Sequence, residues 1–536
     1  MIKIEDIARP ADRLTAVDPA RLAPLPPPYD RADALPPPKR LTDKARANCD
    51  SSLDGFLAVG MARPKTEAEE RQLVERFIGG LDRLFSTDDN WAFLQPLTLS
   101  LDHCARCQTC VEACPIYTAS GRNEVYRPTF RSEIFRRIVN KYAKKYAKRG
   151  GKLLAKLKGE DIELNATTIL RLLESAYRCT LCRRCAQACP MGVDNALLTR
   201  EIRKLFSMEL GVAPKELHEQ GSALQLRVGS STGLKPRVVK DTIEFLDEEI
   251  RDQTGLDIHT PWDKPGADVL LIHNAGEINA WPENPMAFAI ILEAAGINWT
   301  MSSDLAGYDS VNYGLWYDDA QFARVALRQV QAAKKLGVKK IVLGECGHAH
   351  KASMVTADRL LSKDLDIPRE SSMTFLRDIV LSGRLKLDST RNNYPVTLHD
   401  PCNMVRMMGI VKPQRDILNA ICPQFREMAP HGVENYCCGG GSGFAVMSAF
   451  NFEDWKFMVS GRMKLKQILE AFADCPGPET KKYVCTPCSN CKGQFRDLFS
   501  YYKVWERSGI LYGGLVELIV NAMTDLPKPY IKWEFH

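Results

Sequence analysis

Eighteen cysteines fall in this chain of 536 residues, and most stand in three groups whose spacing suits a metal better than a packed core. Two groups share the pattern C-x2-C-x2-C-x3-C-P. One supplies Cys104, Cys107, Cys110 and Cys114, followed by Pro115; the other supplies Cys179, Cys182, Cys185 and Cys189, followed by Pro190. A cubane [4Fe–4S] cluster takes four thiolates, three from a tight loop and the fourth, just before a proline, from the sister repeat. The spacing therefore predicts one cluster on Cys104, Cys107, Cys110 and Cys189 and a second on Cys179, Cys182, Cys185 and Cys114. Zinc also takes C-x2-C pairs, but the third cysteine two residues on and the trailing proline fit iron–sulfur ligation better. No pair is followed by His, which argues against c-type haem attachment.

The third group is discontinuous: Cys402, then "ENYCCGGGSGF" (434–444), then Cys485, Cys488 and Cys491. Adjacent Cys437 and Cys438 make a poor disulfide, because a bridge wants its Cα atoms farther apart than chain neighbours sit. Their sulfurs point in different directions and suit two irons of an enlarged centre. Glycines 439, 440, 441 and 443 are expected to let backbone N–H groups approach the sulfurs and to leave room for a ligand. A phosphate-binding loop is a poor alternative: no Walker lysine follows, and the G-x-G-x-x-G spacing fails.

The elements that must hold these groups can also be read. Residues 1–90 begin with a proline-rich arm, "LAPLPPPYDRADALPPPKR" (22–40), expected to be a disordered tail or a strap around another subunit. A helix over 66–85 follows, opened by the capping box Thr66–Glu69 and striped by Leu73, Phe77, Leu81 and Leu84. Residues 91–210 hold both cubane motifs. Between the motifs, eleven Lys/Arg run from Arg131 to Lys158 against the one acid Glu133, a pattern usual for a solvated helical face or, less often, for docking on a membrane surface or acidic partner. A basic and polar connector (211–265) leads to alternating strands and helices.

That last region reads as a duplication. "LIHNAG" lies against "TLHDPC", and "KKIVLGECGHAHKA" against "KKYVCTPCSNCKGQ", so His273 matches His399, Gly276 matches Cys402, Cys346 matches Cys488 and Ala349 matches Cys491. The fold class expected is mixed α and α/β: a helical, bacterial-ferredoxin-like di-cluster domain followed by two α/β halves with short parallel sheets, at 266–385 and 386–510, and a tail at 511–536. "ECGHAH" (345–350) is expected to line a substrate cleft, with Cys346 near the special cluster and His348 or His350 supplying protons. His399 and Asp400 are second candidates, as orienting residues.

Composition narrows the function classes. An apolar fraction of 45% with 26% charged residues is that of an ordinary globular protein. A net charge of +6 does not point to nucleic acid as a partner. The most apolar stretches are interrupted by Glu293 and Glu517 and fall short of the ~20 residues needed to span a bilayer. The first residues lack the apolar core of a signal peptide, and so many unpaired cysteines suit a reducing compartment. A cytoplasmic location is expected.

The "CCG" spacing resembles the cysteine-rich CCG domain of the heterodisulfide reductase catalytic subunit (HdrD) family. With the paired cubane repeats ahead of it, residues 90–510 resemble subunit K (DsrK) of the membrane complex associated with dissimilatory sulfite reductase (DsrMKJOP). The resemblance implies an enzyme, an oxidoreductase acting on sulfur groups, with a noncubane [4Fe–4S] cluster on Cys402, Cys437, Cys438, Cys488 and Cys491. It implies attachment to the inner face of the cell membrane through a haem b subunit (DsrM-like), and as substrate the disulfide or trisulfide form of a small sulfur carrier protein (DsrC-like). Cys485 is then an extra thiol, a strand-end residue or an alternative ligand, and the first half, with Gly276 and "DLAGYD" (304–309) in place of ligands, holds no cluster. The rival reading is an electron-transfer-only iron–sulfur subunit, like the partners of lactate, glycolate or glycerol-3-phosphate dehydrogenases.

Overall fold

The computed structural model describes residues 2–535 other than 12–13, 38, 40–41, 44–52, 57–58, 147–160, 448–451 and 453. Thr66 accepts from the Glu69 N–H and starts the helix Glu67–Leu84, whose buried stripe is Leu73, Phe77, Leu81 and Leu84. This helix packs on Asn195–Leu210. The latter is capped by the Asp194 carboxylate and ended by Gly211 at φ +69°, the left-handed stop that glycine adopts without strain. Leu94–Asp102, Pro128–Tyr142 and Ala166–Ala176 complete a helical domain around one apolar core.

The start of the basic run is not a solvated face. Arg131 and Arg136 are buried. Arg131 donates to Thr199 Oγ1 at 2.7 Å and Arg136 to the Leu101 carbonyl at 2.9 Å, while Arg137 pairs with Glu5 and Glu133. These guanidiniums satisfy helix-end and side-chain oxygens inside the domain, a use that charge counting misses. The part of the run over 147–160 lies outside the described residues.

The proline-rich arm is ordered on its own chain. A polyproline stretch makes no internal hydrogen bonds, so its carbonyls need outside donors. Ahead of the arm, Arg171 donates to the carbonyls of Asp6, Ile7, Arg9 and Ala11 at 2.8 to 3.0 Å, and in the arm the Ala23 N–H donates to the Ala119 carbonyl at 3.0 Å. Farther along, the Tyr29 hydroxyl donates to the Tyr502 carbonyl at 3.0 Å, and Arg507 donates to the Ala34 carbonyl at 2.7 Å. The arm thus clasps the helical domain and the last α/β unit of the same subunit. The described residues of the arm lie against their own chain.

The α/β region is two copies of one sheet. β1 (Val269–Ile272), β2 (Trp299–Thr300), β3 (Lys340–Leu343) and β4 (Arg369–Ser371) pair in the order β2-β1-β3-β4. β5 (Val396–Leu398), β6 (Phe425–Arg426), β7 (Lys482–Cys485) and β8 (Ile510–Gly513) repeat it as β6-β5-β7-β8. Every pair is parallel, as buried strands flanked by helices on both faces require.

Two boundaries fall differently from the sequence divisions. Strand β8 completes the second sheet and is followed by the helix Leu515–Ala522, so that unit runs past 510. The 211–265 segment contains the amphipathic helix Pro236–Thr254, whose Val239, Ile243, Leu246 and Ile250 join the α/β core. The tail packs on its own domain: the Tyr530 hydroxyl donates to the Glu283 carbonyl at 2.6 Å, and Trp533 meets Tyr394 edge-on at 4.7 Å between centroids. Among the described residues no helix is long and apolar enough to cross a membrane.

Candidate metal centres

Each cubane motif curls because two non-glycine residues adopt left-handed backbone. Arg106 and Gln108 (φ +57° and +65°) flank Cys107, and Leu181 and Arg183 (φ +52° and +63°) flank Cys182. Such residues cost free energy and persist where something fixes the loop. Cys114 then caps the helix Pro115–Ala119, with proline at its first position.

The thiols cross between repeats. Burial, then the neighbouring Cys189, Cys104 and Cys107, pushes the Cys110 thiol up to about 12. Burial, then Cys182, Cys179 and Cys114, raises Cys185 well above its ordinary value. Cys114 has Cys182 and Cys179 beside it, as the crossed pattern requires. Thiols so placed cannot all ionise side by side without a cationic centre among them, so both quartets fit a cubane. Cys107 is exposed where its counterpart Cys182 is half-buried, while Cys110 and Cys185 are both buried, so the first quartet lies nearer the surface and is the outer one.

The third group forms at the end of the second sheet. Cys402 opens the helix Cys402–Met408 after β5, and Cys488 caps the helix Ser489–Tyr502 after β7. The Cys437 thiol has those of Cys182, Cys402 and Cys438 beside it. Cys438 continues to Cys491, and Cys491 to Cys488. All five cysteines converge, joined through Cys182 to the inner cubane quartet. Cys485 does not join them. It pairs within the sheet with Leu398 and Gly513, and its charge neighbours are Glu345, Cys422 and Glu517.

The glycines answer a different need from the one expected. Backbone N–H groups do reach sulfur: Gly439 to Cys437 and Gly440 to Cys438, each at 3.4 Å. The absent side chains, however, make way for protein. A Cβ on Gly439 would meet the Gly461 backbone at 2.6 Å, and one on Gly441 would meet the Thr180 carbonyl oxygen at 2.5 Å. The loop is thereby pressed onto the cubane loop, and Arg203 clamps the contact by donating to the Cys179 carbonyl at 2.7 Å and to Ser442 Oγ at 3.2 Å. Arg406 adds a second clamp, from the Cys182 carbonyl (2.9 Å) to that of Val433 (2.7 Å).

Nothing in the sequence pointed to Lys464. It sits fully buried, donates to Asn435 Oδ1 at 2.6 Å, and is brought down to about 7 chiefly by burial, against the pull of Asp400, Cys438 and Cys437. Its surroundings in sequence, "GRMKLKQ", read as an ordinary amphipathic helix. Asp400 is held below the usual carboxylate range despite burial, because Arg415 grips it with two bonds and the Gly432 N–H donates to it at 2.6 Å.

The "ECGHAH" segment sits at the junction of the two sheets. Cys346 is fully buried; Asn274 Nδ2 donates to its sulfur at 3.4 Å, and Cys488 is a charge neighbour. Across the same junction the Gly347 N–H donates to the Cys488 sulfur at 3.3 Å. His348 faces elsewhere: Nε2 accepts from the Asn312 N–H at 3.1 Å, its ring lies 4.2 Å from that of Trp316, and burial brings it down to about 3. His350 bridges the Cys346 carbonyl and Ser371. A cavity of about 410 Å³ opens instead beside the second cubane loop, lined by Leu181, Arg183, Met191, Lys351 and Met407. Lys351, at its inner wall, has Cys402 among its charge neighbours.

Two family models match the chain: the 4Fe-4S dicluster domain over residues 100–193 and the cysteine-rich (CCG) domain over 396–496. The chain is similar to the Hdr-like menaquinol oxidoreductase iron-sulfur subunit 2 of Archaeoglobus fulgidus, 26% identical over 467 residues, 79% of this chain and 80% of that one. It is also similar to a component of the dihydromethanophenazine:CoB--CoM heterodisulfide reductase of Methanosarcina barkeri, 25% identical over 431 residues, 79% of this chain and 94% of that one. Iron–sulfur clusters are therefore this chain's cofactors, carried on a dicluster domain followed by a cysteine-rich one.

Proposed function

We propose that this chain is the catalytic iron–sulfur subunit of a heterodisulfide-reductase-like oxidoreductase, moving electrons between a membrane partner and a sulfur substrate. The observation that carries the reading is the unbroken line of thiols from Cys182 through Cys437 and Cys438 to Cys491 and Cys488. A relay-only protein needs its clusters near each other. It does not need a further set of five cysteines, four of them buried, beyond its cubane quartets.

In this reading Cys104, Cys107, Cys110 and Cys189 hold the outer cubane, Cys179, Cys182, Cys185 and Cys114 the inner one, and Cys402, Cys437, Cys438, Cys488 and Cys491 a noncubane [4Fe–4S] cluster. When bound, that cluster would supply an iron for a substrate thiolate and the electrons for cleaving a disulfide. Cleavage consumes two electrons and two protons and yields two thiols, and the same site runs the reverse oxidation when potentials favour it. The chain's own residues position the reaction. Arg203 and Arg406 hold the cubane loop against the double-cysteine loop, Lys464 places a buried amine behind Cys437 and Cys438, and the Arg183–Met407 cavity admits the substrate toward Cys402. Cys346 walls the site beside Cys488.

The finer assignment follows the resemblance to the subunit of the dissimilatory sulfite reductase complex. The substrate is the disulfide or trisulfide of a small DsrC-like carrier protein, and the electron partner is a haem b subunit that holds this chain at the inner membrane face. The test pairs reconstituted protein with an oxidised carrier protein that has a C-terminal cysteine arm. Wild type reduces the carrier and shows a thiol-sensitive paramagnetic signal, and Cys438→Ser loses both. Wild type that carries all its iron yet shows no such signal, while Cys438→Ser reduces the carrier undiminished, defeats the proposal and leaves the electron-transfer-only reading.

A further inference from the structure

His399 is the residue after β5, and its N–H extends the sheet by donating to the Cys485 carbonyl at 2.9 Å. Its side chain is fully buried, packed edge-on against Phe495 at 5.3 Å between centroids. Neither ring nitrogen has a hydrogen-bond partner among the described residues. Buried imidazoles are normally satisfied, and leaving both nitrogens bare is costly. Yet a ring nitrogen and the sulfurs of Cys438 and Cys491 all lie within 4.8 Å of one another. The imidazole is thus aimed at the two thiols without bonding to either, at a separation that one intervening atom fills.

The neighbours do not offer a substitute. Asp400 is turned to Arg415 and Gly432, and Lys464 to Asn435. The matching residue of the first half gives an internal control. His273 also sits on a phenylalanine, Phe288 at 5.2 Å, and its Nδ1 also lacks a hydrogen-bond partner among the described residues, with the Glu277 carboxylate 3.8 Å away. The aromatic shelf is common to both halves, while the nearest polar group differs: a carboxylate where ligands are missing, two thiols where they are present.

We propose that His399 donates a ring N–H to a sulfur of the centre held by Cys438 and Cys491, as a positioning residue that stabilises the reduced form of that centre. The inference rests on the iron–sulfur reading of the five cysteines. A donor to cluster sulfur draws off negative charge, so its loss moves the potential downward.

The experiment uses the full chain, reconstituted, with histidine labelled by ¹⁵N. Pulsed paramagnetic resonance of the third centre in wild type is expected to show a weak histidine-nitrogen coupling. In His399→Phe, which keeps the ring on Phe495, iron per chain stays unchanged, the coupling vanishes, and the midpoint potential of this centre alone shifts to more negative values. His399→Gln, which restores an N–H, recovers part of the shift. Absence of any histidine coupling in wild type overturns the proposal, and so does a coupling of the size given by directly iron-bound imidazole. The wild-type measurement stands even where a variant folds poorly. Wild-type protein lacking the third centre's iron would defeat the iron–sulfur reading beneath, whereas full iron with an unmoved potential in His399→Phe defeats only the role of His399.

Discussion

The two α/β halves share a strand order, a strand-end histidine and a cysteine capping the helix after the third strand, but only one gathers thiols. In the second half, Cys402 starts the helix after β5 and the double-cysteine loop closes over it. In the first, Gly276 stands in the Cys402 place, and the buried Asp309 accepts from the N–H groups of Ala275, Val311 and Ser231 and from the Ser231 hydroxyl, at 2.7 to 3.2 Å. A carboxylate thus gathers one helix-start donor and three loop donors in the half without ligands. The architecture makes an anion-accepting pocket at its strand ends, and the residues filling that pocket decide between a metal centre and a structural knot.

Iron content puts this contrast between the halves under the greatest strain. Three four-iron centres predict about twelve irons per chain. Cys438→Ser is expected to lose roughly four of them, the third centre as a unit, while Cys346→Ser, the first half's remaining cysteine, keeps the full count. Iron quantitation on purified, reconstituted protein checks both. An unchanged count in Cys438→Ser would leave the halves chemically alike.

Asp309→Ala tests the other side. It strips four donated hydrogen bonds from a buried site and is expected to cost about 2–4 kcal/mol in denaturant unfolding with iron unchanged. Loss of iron with Asp309 would mean that the first half also shapes the centres.

Gly441→Ala presses on the contact between the cysteine-rich loop and the cubane loop. The new methyl would meet the Thr180 carbonyl oxygen at 2.5 Å, and overpacking of this kind costs about 1–3 kcal/mol. Slower electron transfer from the inner cubane to the third centre should accompany it, read by freeze-quench spectroscopy.

Local patterns made the cubane loops legible, because four thiols and a proline at fixed spacing are enough to name their chemistry. The duplication was legible for a similar reason: "KKIVLGEC" and "KKYVCTPC" are each one strand and one helix start. Residues whose meaning depends on distant partners were not. Lys464 sits among apolar and basic residues and becomes a buried amine only because Asn435 and the double-cysteine loop close around it. Arg131 and Arg136 count as surface charge until the carbonyl of Ser175 and that of Leu101 are seen waiting for them. The proline arm carries no mark of its partner, since its carbonyls look the same in sequence whether Arg507 or water donates to them. Among the cysteines at 485–491, the strand's end separates them: Cys485 stays in the ladder, while Cys488 and Cys491 lie on the helix start facing Cys438.

The weakest of these effects concerns pH and the helix after β3, where His348 stands in the place of Asn490. Burial, with Lys351 adding to it, brings His348 down to about 3, and the Asn312 N–H accepted by Nε2 fixes the neutral ring. The native state therefore binds fewer protons than the unfolded chain between the ordinary histidine value of about 6.5 and the folded one. Its stabilising contribution is full above about 6.5 and is lost as pH falls toward 3. Between pH 7.5 and 5.5 that amounts to about 1 kcal/mol. His348→Asn, which puts the second half's residue into the first, should lower stability by a constant through lost packing on Trp316 and remove this slope. The difference between variant and wild type, measured by denaturant unfolding at the two pH values, cancels contributions from the clusters and from the buried Glu345, which burial pushes up to about 8 and which acts in the opposite direction. An identical slope in both proteins would place the titrating group elsewhere.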